Sequence, residues 1–166
     1  MNLEAFKLAV YNWYAKETKL SVIWEEQAEA RPQRPYATLN IITGAVMVGE
    51  DDHRQDVSGK FTWEGQRKIT VSCNIWSDTG LQTMADVQSS LRKASNQLAF
   101  NQAGIAPTDY GNVQKLSSLF GNRFEDRFQM DVIFTVVELI NDDAVPIESV
   151  GLDATAIVGG KVTVIN

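Results

Sequence analysis

Cysteine and histidine occur once each in the 166 residues, as Cys73 and His53, and proline only four times. A single cysteine excludes an intramolecular disulfide and a multi-cysteine metal site. The single histidine lies among Glu50, Asp51 and Asp52, which leaves serine and cysteine nucleophiles without a well-placed base. Basic residues are in deficit. Fifteen Lys and Arg against 21 Asp and Glu give a formal net charge of −6, which disfavours docking to the outside of nucleic acid or to an anionic membrane. No run of about 18 apolar residues occurs, so neither a membrane span nor a signal peptide is expected; the expectation is a soluble protein made in the cytoplasm, with proteins as partners. Gly44, Gly49, Gly159 and Gly160 do not match a phosphate-cradling pattern. The stretch 50–53 lacks the alternating spacing, the glycine and the distal glutamate of a calcium loop and reads as a solvated loop. These residues yield no enzyme, cofactor or metal site.

What is present suits one globular domain over 1–166, since 44% hydrophobic and 22% charged residues are near globular averages. Leu3, Phe6, Val10, Trp13 and Tyr14 recur at helical spacing, with Asn2 placed to cap. Leu20–Trp24 reads as a short strand. In Arg31–Tyr36 (RPQRPY) two prolines exclude helix and favour an extended segment; its Arg31 and Arg34 are either ordinary surface charge or a rigid pair of guanidinium groups for docking an acidic neighbour. Tyr36–Val48 is strand-like with a bulge or bend expected at Gly44, and Gly49–Gly59 has the composition of a loop. From Arg67 to Trp76 the alternation is of period two, with Ile69, Val71, Cys73 and Ile75 on the apolar face. Thr79 and Gln82 have capping-box spacing, and Met84, Val87, Leu91, Ala94 and Leu98 predict one long second helix. A strand is expected within 112–120, a turn at 141–143, and short strands in 147–150 and 156–165. The fold class is α+β: a largely antiparallel, mixed sheet with two main helices on one face.

The segment LFGNRFEDRFQMDVIFTVVEL (119–139) is the most unusual. Its β-branched cluster decides for strand, which puts Phe124, Phe128, Met130, Val132, Phe134 and Val136 on one face. Arg123, Glu125, Arg127, Gln129 and Asp131 take the other. Fully extended, 123–137 spans about 50 Å, more than the roughly 40 Å diameter of a compact chain this long. Either a bulge near 129–131 bends the strand across the body, or the charged half projects to a neighbouring subunit.

Several segments together resemble the tail terminator, or neck, proteins of tailed bacteriophages: RPQRPYATLNI after Trp24, KITVSCNIWSD leading into a helix, and GNRFEDRFQMDVIFTVVE followed by PIESV. In the last, Glu125, Arg127 and Asp131 fill an E-x-R-x-x-x-D run before an apolar strand. The resemblance covers about Trp24 to Leu152; the segment Gly49–Gly59 departs from it, being richer in acid and poorer in aromatics. It implies a ring-forming virion subunit, usually a hexamer, assembled in the host cytoplasm. Such a ring caps the head-proximal end of the tail tube, stops its polymerisation and offers a joining surface to the head-side connector protein. Its partners would be further copies of itself, the tail tube protein, the connector and, in a contractile tail, the sheath protein. DNA would pass through the ring without specific binding, and no membrane is involved. On this reading Arg31, Arg34, Arg123, Glu125, Arg127 and Asp131 are the interface residues. Another connector or tail-completion adaptor is the near alternative, and a monomeric ligand-binding α+β domain the distant one.

Overall fold

Three long strands dominate the computed structural model, which describes residues 2–26, 31–56, 60–120, 123–142, 154–158 and 161–165. In chain order the elements are α1 (Leu3–Thr18), β1 (Ser21–Trp24), β2 (Tyr36–Gln55), β3 (Phe61–Trp76), α2 (Gly80–Ser90), α3 (Ala94–Gln102), β4 (Ile105–Tyr110), β5 (Gln114–Phe120) and β6 (Arg123–Asp142), then β7 (Ala154–Val158) and β8 (Lys161–Ile165). The fold is α+β with a mixed, mostly antiparallel six-stranded sheet of order β1-β2-β3-β6-β4, in which β5 also pairs with β6. Only the β1–β2 pairing is parallel. β7 and β8 form an antiparallel pair of their own, so the short strands expected in 156–165 are present. The one expected in 147–150 lies outside the described residues.

Local sequence accounts for α1. The Asn2 Oδ1 accepts from the Ala5 amide at 3.1 Å, and Lys19 in the left-handed region (φ 56°) returns its amide to the Ala15 carbonyl. Phe6, Val10, Trp13 and Tyr14 are all buried. The expected single second helix is instead two. Its break falls where side chains satisfy the carbonyls that a continuous helix would have used: Asn96 Nδ2 donates to the Ser90 carbonyl at 2.9 Å, and Gln97 Nε2 to that of Leu91. The phase shift that follows leaves Leu98 exposed, while Met84, Val87 and Leu91 stay in the core. Thr79 makes no side-chain cap, so the expected capping box does not form.

Three helices, not two, cover one face at one end of the sheet. Against them lie Leu39 of β2, Ile69, Val71, Cys73 and Ile75 of β3, and Phe128, Met130, Val132, Phe134 and Val136 of β6, all buried. Phe134 meets Phe6 and Phe100 edge-on, each at a centroid distance of 5.7 Å. Burial pushes the Cys73 thiol far above its ordinary range. Phe124 is the exception among the residues expected on this face, being exposed, because it lies before β6 reaches the core.

The long strand does not bend at 129–131, and of its charged half Arg123–Asp126 extend past the end of β3, paired with β5. From Phe61↔Asp142 to Trp76↔Arg127 the β3–β6 ladder keeps one register without a bulge. The irregularities lie in β2, at Ile41/Thr43, Thr43/Val46 and Val48/Asp52; the second contains Gly44, as expected. Gly49–Gln55 is strand, not loop. Its loop-like composition reflects the last bulge, where Gly49 takes a φ of +74°. The half of β6 that leaves the core is the apolar one. Residues 137–142 run beside 43–55 and 61–66 as a three-stranded ribbon with exposed apolar side chains on both faces, among them Met47, Trp63 and Ile140 on one and Val46, Val137 and Leu139 on the other. Asn141 and Asp142, expected in a turn over 141–143, instead pair with β3, and residue 143 lies outside the described residues.

Candidate functional site

Side-chain alternation sends Tyr36, Thr38 and Asn40 of β2, Asn74 and Trp76 of β3, and Arg127, Gln129 and Asp131 of β6 to the face away from the helices. Tyr36 and Trp76 are cross-strand partners with rings stacked at 5.9 Å and 12°. Two guanidinium groups sit against the same indole: Arg31 Cζ lies 5.5 Å and Arg127 Cζ 5.4 Å from its centroid. Together with Ile23, Glu25 and Thr38, these side chains line a recess of about 340 Å³. Trp76 is buried, and its indole N–H has no acceptor among the described residues. Burial pushes the Tyr36 phenol above its ordinary range, against the opposing Arg31 charge.

Arg127 is held by amides, not carboxylates. Its Nε donates to Asn74 Oδ1 at 2.9 Å and its Nη2 to Gln129 Oε1 at 2.6 Å. Beyond these amides stand acids: Asn74 Nδ2 donates to Glu25 Oε1 at 3.3 Å, and Gln129 Nε2 to Asp131 Oδ1 at 3.1 Å. Glu25 also accepts from Thr38 Oγ1 at 2.7 Å and Asn40 Nδ2 at 3.2 Å. The result is a ladder across the open face with one cation at its centre and a carboxylate one amide away on each side. Chemically it is a surface for recognition. It offers stacking area and charge, but no nucleophile with a base.

The residues singled out in the sequence are only partly brought together. Arg31 and Arg127 meet over Trp76. Arg34 turns aside, donating through Nη2 to Asp78 Oδ1 at 3.0 Å and to the Asp126 carbonyl at 3.2 Å, and the Arg34–Pro35 peptide is cis. Glu125 is half-buried, and Asp131 reaches Arg127 only through Gln129. Arg123 opens β6 opposite Phe120. Sequence reasoning missed Tyr36, Trp76, Asn74 and Glu25. The signal for the first three was available, because period-two alternation continued to Trp76 puts an aromatic at the end of an otherwise polar face.

A second cluster marks where the ribbon leaves the body. Arg67, buried on the helix side of β3, grips Asp51 of β2 and donates through Nε to Glu138 Oε2 of β6 at 2.9 Å, tying all three strands together. The acidic stretch is therefore distributed rather than pooled: Asp51 pairs with Arg67, Asp52 lies 3.6 Å from Arg54, and the His53 ring packs 5.1 Å from that of Trp63. Among the described residues no group of three or more His, Cys, Asp or Glu is arranged to hold a metal ion, and no helix is long and apolar enough to cross a membrane.

A family model described as "Phage neck terminator protein" matches residues 5–161. No curated protein matches the chain.

Proposed function

The chain belongs to the phage neck terminator proteins, a family of structural neck components and not of enzymes, and from that membership we propose that it forms a closed ring, a hexamer, on the head-proximal end of the tail tube. The ring stops further tube growth and presents its other side to the head-side connector, with the sheath as a further partner if the tail is contractile. DNA passes through it without specific contacts, in keeping with a net charge of −6.

One observation carries this reading beyond family membership. A ribbon of three strands continues past the helices with apolar side chains exposed on both faces. Apolar area of that kind marks an interaction site, and ribbon edges that have no neighbouring strand among the described residues are templates for another chain. A tube grows because each finished ring exposes the surface that recruits the next, so a terminator must cover that surface without regenerating it.

Deletion of the gene tests the proposal. Heads should package DNA normally while tails assemble, often over-long, and fail to join, as counted by negative-stain microscopy of lysates. Normal-length tails attached to heads would overturn the terminator reading; normal-length, unattached tails would assign the chain to a connector role instead.

A further inference from the structure

Charge is distributed unevenly along the three long strands. Residues 43–66 and 137–142, which span the ribbon, contain seven Asp and Glu against Arg54 and Lys60 alone, a net −5 of the chain's net −6. At the other end of the same strands Arg31 and Arg127 press on Trp76. Glu50 stands out within the ribbon. It falls in the β2 bulge between Val48 and Asp52, is exposed, and makes no hydrogen bond or ion pair among the described residues. A bulge re-aims side chains out of the pleat.

The recess is complementary to such a group. Arg127 is half-buried with only neutral amides as hydrogen-bond partners among the described residues, and the Arg31 guanidinium lies against the same indole. A carboxylate oxygen is the strongest acceptor a protein can bring to a guanidinium group. Glu50 of the same chain cannot be that acceptor. It lies level with Gly65 in the β2–β3 ladder, eleven residue steps from Trp76, or about 35 Å along the strand.

We propose that the Glu50 carboxylate of one copy enters the Arg31–Trp76–Arg127 recess of the next. The inference rests on the ring reading and names the contact that builds it. Two different surfaces of the same chain meet, so the contact is head-to-tail and repeats around a ring instead of closing at a dimer.

Charge-swap variants of the full chain test this, with oligomeric mass measured by sedimentation and folding by circular dichroism. Both substituted side chains are exposed, so the fold should survive. Glu50→Arg and Arg31→Glu should each raise the dissociation constant of the assembly at least about tenfold, and the double variant should recover most of the loss. Full assembly by both single variants would overturn this contact and leave the ring reading standing, as would weakening by both without recovery in the double variant. A wild-type chain that stays monomeric at every concentration would overturn both readings. Weakening of assembly by added inorganic phosphate in the wild type alone, with no effect of either substitution, would assign the recess to phosphate and reject the proposal.

Discussion

Arg67 holds Asp51 with both terminal nitrogens, Nη1 to Oδ1 at 2.7 Å and Nη2 to Oδ2 at 2.6 Å, across two neighbouring strands. Gly65 makes room for this fork, since a Cβ there would lie 1.9 Å from Asp51 Oδ1 and 2.4 Å from Arg67 Nη1. Gly65→Ala should therefore expel the Asp51 carboxylate without disturbing the core. The expected outcome is faster amide hydrogen exchange across 43–55, with protection in 69–75 and 128–136 unchanged. Asp51→Asn should give the same pattern; uniform loss of protection would show that the ribbon and the body unfold as one unit.

The same pair sets a pH dependence. The Arg67 guanidinium holds the Asp51 carboxyl below its ordinary range, and Lys115 with Ser117 does so for Asp126. A depressed folded-state value means that the contribution to stability is complete above the ordinary carboxylate range, about pH 4, and is lost as pH falls below it. Wild-type melting temperature should drop through that window. Asp51→Asn should melt lower at neutral pH, and its deficit should shrink as the solution is acidified.

Arg127→Glu should damage the fold as well as any assembly, because it removes the bonds to Asn74 and Gln129 and sets a carboxylate against Trp76. Losing hydrogen bonds of a charged group costs about 1.5–3 kcal/mol each at most, within reach of urea titration. Arg127→Lys should fall between, keeping the charge but not the planar fork.

Val71→Asp and Leu91→Asp should each abolish soluble expression. Both side chains are fully buried in the helix–sheet core, and an unpaired charge there costs several kcal/mol of a total near 5–15 kcal/mol. Soluble variants with cooperative melting would contradict the core assignment.

Cys73 should resist thiol reagents in the native protein and react fully in denaturant, since it is buried and its thiolate disfavoured. Rapid native-state labelling would show that the sheet opens at its centre.

Periodicity made the core legible. The stripe of α1 and the alternations of Ile69–Ile75 and Phe128–Val136 report burial directly, because each residue's neighbours on that face are other apolar side chains. Charge and composition misled where tertiary partners decide. Nothing local to Asp51 announces Arg67, so Gly49–Gln55 read as loop. Pro107 hid β4, which tolerates it as a strand at the end of the sheet order. For the site, the arginines were visible as residue types, but not that Asn74 and Gln129 are what hold Arg127. Period-two alternation puts Gln129 on the face of Arg127, but the cross-strand register that brings Asn74 and Glu25 to it is set by strand pairing and not by spacing within one strand.

The unbroken β3–β6 ladder also orders events on the ribosome. β2 and β3 can zip as soon as both have emerged, their ends joined by the bond from the Asp56 amide to the Lys60 carbonyl, but β6 begins only 47 residues after β3 ends, at Arg123 against Trp76. Until it is synthesised, one whole side of β3 stands open, an invitation to pair with any nascent neighbour. Pairing over such a separation is slow, because chain entropy is lost before contacts form. The arrival of β6 both seals that side and completes the ribbon, so the apolar surface that the ribbon exposes does not exist until Asp142 has emerged.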